Sequence, residues 1–152
     1  MTLAEGAIAP DFTLPDHDGR PVRLAGLRGR RVLLTFHAED DTPACTEQLR
    51  AFSDARAAFE AAGVRIFGIS ADDAATHAAF RAKARLGFPL LADRDRAVAK
   101  RYGAFGEKTL YSRKVQGTIR TTVVIGADGR VERIFRNLRV KGHAARVLEA
   151  IA

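Results

Sequence analysis

The chain has a single cysteine, Cys45, among its 152 residues, so it forms no disulfide within itself. It has no tryptophan, and no apolar run approaches the roughly 18 residues that a membrane-spanning helix needs. Residues 1–6 lack both the basic and the apolar stretch of a secretory signal. We therefore expect a cytoplasmic protein without a membrane association, whose lone thiol either packs in the core or reacts.

Positive charge is abundant but scattered. The net charge is +7, and the last 76 residues hold 17 Lys or Arg against 6 Asp or Glu. A basic half can attract nucleic acid. In residues 130–136, however, the basic residues alternate with apolar ones, as on the solvated face of a strand. We expect no specific nucleic-acid partner and only weak, salt-dependent binding to DNA.

The histidines indicate no metal centre. They stand at positions 17, 37, 77 and 143, with no paired spacing to the cysteine that suits a metal ion. His37 lies beside the cysteine segment, and we interpret it as structural or solvated. Neither a metal nor another cofactor is expected.

Hydrophobic periodicity predicts one α/β domain over residues 1–152, because no repeat or linker divides the chain. Strands are predicted at 11–14, 22–24, 31–36, 64–70, 88–91, 119–125 and 130–135, and helices at 43–62, 74–86, 95–102 and 142–152. Residues 103–117 are predicted to be a loop, with 107–111 as a candidate cover for a pocket. This order fits a thioredoxin-like fold with a mixed β-sheet, helices on its faces and an N-terminal β-hairpin.

Cys45 falls where a predicted strand gives way to a helix. Thr42 suits the N-cap position and Pro43 the first helical position, which places Cys45 in the first turn. The Thr42 hydroxyl is expected to accept the backbone N–H of Cys45, and the helix dipole favours a thiolate there. Cys45 also shares a helical stripe with Leu49 and Phe52, so a place in the core is the alternative.

Three carboxylates in residues 39–41 come immediately before this helix, and like charge disfavours a thiolate. A cation from elsewhere in the chain is therefore needed if Cys45 is to ionise. Arg120 is the candidate, because it lies in the apolar strand 119–125, which we expect to pair close to the strand ending at Phe36. An ordinary arginine on a strand surface is the alternative interpretation.

The segment Asp-Asp-Thr-Pro-Ala-Cys-Thr at residues 40–46 resembles the active-site segment of peroxiredoxins of the bacterioferritin-comigratory-protein (peroxiredoxin Q) subfamily. Further matches follow in the family's order over nearly the whole chain. Residues 9–14 resemble its opening strand, stretches between 68 and 93 its middle, and 117–125 its arginine strand.

The resemblance implies that Cys45 is the peroxidatic cysteine, that Thr42 orients the peroxide, and that Arg120 stabilises the thiolate and the transition state. Four further residues are expected to contribute to the peroxide site, the last of them in a supporting, hydrogen-bonding role: Ala38, Pro43, Ala44 and Gln48.

Two positions depart from the family pattern. The family usually has a proline where Ala38 stands, and many members have a resolving cysteine where this chain has Arg50. In the family, the proline packs against the site and helps to shield the sulfur, so Ala38 is expected to change the affinity for peroxide or the rate. The second departure means that turnover requires an external reductant.

The resemblance thus implies a thiol-dependent peroxidase that reduces hydrogen peroxide and organic hydroperoxides to water or alcohols. A Cys45 sulfenic acid would be recycled by a thioredoxin, a glutaredoxin or a low-molecular-weight thiol. A monomer or weak homodimer is expected. The two departures motivate an alternative on the same fold, a peroxide sensor or redox-partner-binding module that oxidises slowly and does not turn over.

Overall fold

The computed structural model describes residues 3–152 and begins with the predicted N-terminal hairpin. Strand β1 (Thr13–Pro15) pairs antiparallel with β2 (Pro21–Arg23), and the Asp16 side chain accepts backbone N–H groups within the turn. A 3₁₀ turn (Leu24–Leu27) follows. Phe12 beside this hairpin is buried in the core cluster on one face of the main sheet.

The remaining strands build a five-stranded sheet and a second hairpin. They are β3 (Arg31–Phe36), β4 (Val64–Ser70), β5 (Leu90–Ala92), β6 (Phe105–Leu110), β7 (Arg113–Thr118), β8 (Thr121–Ile125) and β9 (Val131–Arg136). The sheet order is β5-β4-β3-β8-β9, in which β3, β4 and β5 are parallel, β8 is antiparallel to β3, and β9 is antiparallel to β8. The predicted mixed sheet and thioredoxin-like fold are confirmed.

Helices cover both faces of this sheet. They are α1 (Pro43–Asp54), α2 (Arg56–Ala61), α3 (Ala74–Lys83), α4 (Ala97–Arg101) and α5 (His143–Ile151). Successive side chains of a strand point to opposite faces, so Leu33 and Leu34 of β3 belong to two different core clusters. None of the helices within residues 3–152 combines the length and the apolar character needed to cross a bilayer.

The helix predicted over 43–62 is interrupted at Ala55. The apolar stripe continues through the break, because Phe52 and Phe59 are both buried with their rings 5.7 Å apart. Tertiary hydrogen bonds hold the break: the N–H of Gly87 donates to Ser53 Oγ at 2.9 Å, and Arg56 donates to the Gly87 carbonyl at 3.3 Å. The prediction of one continuous helix is therefore wrong, although its buried face was predicted correctly.

The loop predicted over 103–117 is also wrong, because β6 and β7 form an antiparallel hairpin. Its turn is made by Tyr111 and Ser112, both with positive φ, so no glycine marks it in the sequence. Its strands carry few large apolar residues, and the Tyr111 side chain is 90% exposed. Arg120, predicted inside the strand 119–125, lies one residue before β8 begins. The pairing of this strand with β3 is confirmed, since Thr121 lies opposite Phe36.

Candidate active site

Cys45 is the third residue of α1, in the first turn of the helix. Thr42 is the N-cap residue with extended backbone angles, and Pro43 occupies the first helical position. The predicted capping bond is wrong, because the Thr42 side chain makes no capping hydrogen bond. Its hydroxyl instead lies 3.3 Å from the Glu39 carbonyl oxygen and within hydrogen-bonding reach of the Cys45 sulfur. The hydroxyl therefore donates to the Glu39 carbonyl close to the sulfur and does not cap the helix N–H groups.

The Cys45 sulfur is covered but surrounded by donors. The residue has no exposed surface, and burial alone raises the pKa of its thiol. Hydrogen bonds from the Thr42 hydroxyl, the Glu39 backbone N–H and the Arg120 guanidinium, together with the charge of Arg120, outweigh burial and bring the pKa below its usual range. The thiolate therefore forms more readily than that of an unperturbed cysteine, although the position is buried.

Arg120 reaches the sulfur from the start of β8, the strand next to β3. Because Thr121 pairs with Phe36, the residue before Thr121 lies beside the point where the chain leaves β3 for α1. The Nη1 atom of Arg120 lies 3.3 Å from Cys45 Sγ and 2.7 Å from Gln48 Oε1. The two N–H bonds of one nitrogen are thus shared between the thiol and an amide.

Gln48 begins a buried polar chain behind Arg120. Its Nε2 donates to Thr35 Oγ1 at 2.8 Å and to the Phe36 carbonyl at 3.3 Å. Thr35 in turn bonds Thr122 Oγ1 at 3.0 Å, and Thr122 bonds His143 Nε2 at 2.9 Å. Gln48 is only 1% exposed, so its amide is fixed by buried partners and not by solvent. The orientation of Arg120 is set by this chain.

A cleft of about 290 Å³ opens beside Arg120. It is lined by Ala38, Lys108, Thr118, Ile119, Arg120, Asn137 and Leu138. Pro43 and Ala44 are exposed on the first turn of α1, outside this lining. Of the residues of the predicted cover 107–111, Lys108 lines the cleft, and its Nζ donates to the Thr118 carbonyl at 2.9 Å.

Known proteins are similar to this chain in both sequence and fold. Residues 6–134 match the AhpC/TSA family. The chain is 45% identical over 145 residues, 95% of this chain and 92% of the relative, to a Mycobacterium tuberculosis protein assigned to the peroxiredoxins. It is 38% identical to peroxiredoxin Bcp of Escherichia coli over 141 residues, 93% of this chain and 90% of the relative.

The chain is a peroxiredoxin of the AhpC/TSA family. The solved structure of the Xanthomonas campestris bacterioferritin comigratory protein matches with a TM-score of 0.87 and 31% identity, covering 92% of this chain and 89% of that one. A peroxiredoxin Q of Xylella fastidiosa matches with a TM-score of 0.92 and 27% identity, covering 99% and 96%. The family and function that the resemblance implied are confirmed: this peroxiredoxin is a thiol-dependent peroxidase with one cysteine.

Two of the three carboxylates that precede the active-site helix of this peroxiredoxin are paired with other side chains. Asp41 forms an exposed ion pair with Lys83 at 2.9 Å. Asp40 is buried, and its two carboxylate oxygens contact His37 at 2.7 Å and His77 at 2.6 Å. The repulsion expected from sequence is therefore reduced by partners that lie far away along the chain.

Two parts of the site were missed from sequence. Thr35, Thr122 and His143 of the polar chain lie in apolar strands and a distant helix, where nothing marks them as linked. The cluster of His37, Asp40, Asp72 and His77, with ligand-type atoms all within 4.8 Å of one another, was missed as well. Within residues 3–152 this is the one group with the composition of a metal site, which the histidine spacing did not predict.

Proposed function

We propose that Cys45 is the nucleophile of this peroxidase and that Thr42 and Arg120 assist it directly. The observation that carries the proposal is the distance of 3.3 Å between Arg120 Nη1 and Cys45 Sγ. A guanidinium at that distance stabilises the thiolate, and it stays charged at any pH at which the enzyme works. Thr42 and the Glu39 N–H add hydrogen bonds to the same sulfur.

The sulfur attacks the terminal oxygen of ROOH, so that an S–O bond forms as the O–O bond breaks. The sulfur is oxidised by two electrons to a sulfenic acid, and the leaving RO⁻ takes a proton to become the alcohol, or water when the substrate is hydrogen peroxide. Nε and Nη2 of Arg120 have no hydrogen-bond partner within residues 3–152, so they are free to donate to the peroxide oxygens.

The cleft beside Arg120 supports a role in admitting the substrate. Its lining joins apolar groups, including Ala38, Ile119 and Leu138, to the cation of Lys108, which suits organic hydroperoxides as well as hydrogen peroxide. The Xanthomonas campestris relative is described as reducing alkyl peroxides. Substrate contacts by Pro43 and Ala44, exposed at the helix start, stay predictions. For Gln48, buried behind Arg120, we propose a positioning role rather than a substrate contact.

The sulfenic acid is reduced by thiols from outside the chain, since this peroxiredoxin has no second cysteine. A first thiol R′SH attacks the sulfenic sulfur, giving a mixed disulfide and water; a second R′SH releases Cys45 as a thiol together with R′SSR′. We propose a thioredoxin, a glutaredoxin or a low-molecular-weight thiol as this reductant. A monomeric or weakly dimeric state and a cytoplasmic location stay predictions.

Replacement of the nucleophile tests the proposal. Cys45→Ser keeps the side chain nearly isosteric but removes the thiolate, so we expect peroxide consumption to vanish with every reductant. Asp128→Asn, in an exposed turn between β8 and β9, is the matched control and should consume peroxide at the wild-type rate. A Cys45→Ser protein that still reduces peroxide would disprove the assignment. Parallel assays with thioredoxin, glutaredoxin and glutathione identify the reductant by which one sustains turnover.

A further inference from the structure

Two histidines and a carboxylate form a buried array next to the active-site helix. His37 Nε2 lies 2.7 Å from Asp40 Oδ1, and His77 Nδ1 lies 2.6 Å from Asp40 Oδ2. All three side chains have no exposed surface. We call these residues the His–Asp–His array. The reaction steps given above do not use it.

The partners of each ring nitrogen fix the charges of the array. His77 Nε2 faces the Leu91 carbonyl oxygen at 3.0 Å, and His77 Nδ1 faces the Asp40 carboxylate. A carbonyl and an ionised carboxylate only accept hydrogen bonds, so both nitrogens of His77 carry protons and the ring is an imidazolium. His37 donates from Nε2 alone, and its buried Nδ1 has no partner among residues 3–152, which suits a neutral ring.

Electrostatics agrees with the charges given to Asp40 and His37. Burial raises the pKa of Asp40, but the hydrogen bonds and charges of the two histidines bring it down to about 2, so the carboxylate is ionised. Burial lowers the pKa of His37, which keeps that ring neutral. The array therefore holds one positive and one negative charge, which cancel. The other acidic groups near His77 are Asp72, after β4, and Asp73, at the start of its own helix.

The contacts are those of a hydrogen-bond array rather than of a metal centre. Metal ligands point unprotonated lone pairs at one shared point. Here both nitrogens of His77 are donors, and each Asp40 oxygen is already bonded to a histidine. Asp72 Oδ2 accepts the Ser70 hydroxyl and, at 3.0 Å, the Asp40 backbone N–H. The atoms that face one another in the cluster are thus bonded to each other, and His37 Nδ1 is the one ring nitrogen of the array without a partner among residues 3–152.

The array is joined to the residues that contact the sulfur. Asp40 lies in the segment 39–42, which leads into the first turn of α1, and its neighbours Glu39 and Thr42 both help to lower the pKa of the Cys45 thiol. Its side chain is held by the histidines and its N–H by Asp72. Asp41 next to it has a φ of 64°, a conformation that costs a non-glycine residue free energy and persists only when its surroundings impose it. Asp40 is thus the residue of segment 39–42 that buried hydrogen bonds hold in place.

We propose that His77 is a positioning residue for the reaction at Cys45, acting through Asp40. By clamping Asp40, the imidazolium of His77 holds the segment 39–42 in place against the first turn of α1, which carries Cys45. By neutralising Asp40, it also removes a buried negative charge that would oppose the thiolate. The inference rests on the proposed role of Cys45 as the reacting thiolate.

Graded substitutions at position 77 distinguish the loss of the hydrogen bond to Asp40 from a general loss of stability. His77→Asn retains an N–H near the position of Nδ1 and so keeps one donor to Asp40 without the charge. His77→Gln places its amide farther out and loses that donor. Asp40→Asn removes the clamped carboxylate itself. Glu132→Gln is the control, because it removes a carboxylate that pairs with Arg31 at 2.8 Å at the opposite end of the sheet.

The readouts are the Cys45 thiolate titration, followed at 240 nm, and the rate constant with hydrogen peroxide from pH 6 to 9. We expect His77→Gln and Asp40→Asn to react on the order of tenfold more slowly than wild type at pH 7, with midpoints shifted to higher pH. His77→Asn should lie between them and wild type, and Glu132→Gln should match wild type. Should His77→Gln fail to fold, His77→Asn and Asp40→Asn still test the inference.

The positioning role is overturned if His77→Gln, His77→Asn and Asp40→Asn have the same thiolate titration and the same rate constant as the wild type. An equal loss in the Glu132→Gln control would also overturn it, since general destabilisation would then explain the effect. The proposed function fails separately: in that case the wild-type Cys45 itself shows no thiolate near neutral pH and no reaction with peroxide.

Discussion

Gln48→Glu is the substitution that most sharply tests how Arg120 activates the thiol. The change is nearly isosteric, but it places a negative charge where a neutral amide oxygen now accepts the Arg120 Nη1–H. The glutamate would compete with the sulfur for the same guanidinium. It would also lose the Nε2 donor that now serves Thr35 and the Phe36 carbonyl. We expect a weaker thiolate and a slower peroxidase.

The structure sets the size of this effect. The two contacts of 3.3 and 2.7 Å that meet at Nη1 keep the position-48 oxygen within about 6 Å of the Cys45 sulfur. Two negative charges at that separation, with an effective dielectric constant of about 20, repel by about 3 kcal/mol. At 1.36 kcal/mol per decade, the rate constant with peroxide at pH 7 should fall on the order of 100-fold.

Gln48→Met separates the charge from the lost hydrogen bonds, because it has a similar length and no charge. We expect it to lose about tenfold, as for the loss of one or two buried hydrogen bonds. Since the chain has no tryptophan, the rates are best measured by competition with horseradish peroxidase for hydrogen peroxide. If Gln48→Glu reacts within threefold of Gln48→Met, the charge reasoning is refuted.

Substitutions at two further positions test other contacts. Arg120→Lys keeps the charge but loses the planar fork, so we expect a 10- to 100-fold lower rate constant in the same competition assay, and about 10²- to 10³-fold for Arg120→Gln; a wild-type rate for Arg120→Lys would show that charge alone suffices. Burial lowers the pKa of His143 from 6.5 to about 4, so between those values the folded chain binds fewer protons than the unfolded chain. Stability from this group is complete above pH 6.5 and falls by about 3 kcal/mol as the pH drops to 4, which urea unfolding should detect. His143→Gln should lose less over that window, and an equal loss in both proteins would contradict the assignment.

The sheet was predictable because its central strands are nearly continuous apolar runs. Residues 31–36 and 64–70 are covered on both faces, and such burial leaves a direct record in the sequence. The hairpin of β6 and β7 leaves no such record. Its strands are mostly polar and partly exposed, and Tyr111 and Ser112 turn the chain without a glycine.

The site was predictable only in part. Cys45 and Arg120 were identified, since the helix start and the family motif mark them, and the structure brings them together. The capping role of Thr42 was not correct, because its hydroxyl donates to the Glu39 carbonyl instead. The links from Gln48 to Thr122 and from Asp40 to His77 join residues that are distant in sequence. Only the pairing of strands and helices brings such residues together, so no local pattern predicts them.

The proposed peroxidase reaction requires a Cys45 thiolate near neutral pH that Arg120 and its neighbouring donors stabilise. The most direct test treats the reduced protein with one equivalent of hydrogen peroxide at pH 7 in the presence of dimedone, followed by peptide mass spectrometry. We expect a dimedone adduct on Cys45 in the wild type and far less adduct in Arg120→Gln over the same time. An unmodified Cys45 in the wild type, or equal labelling of the two proteins, would contradict it.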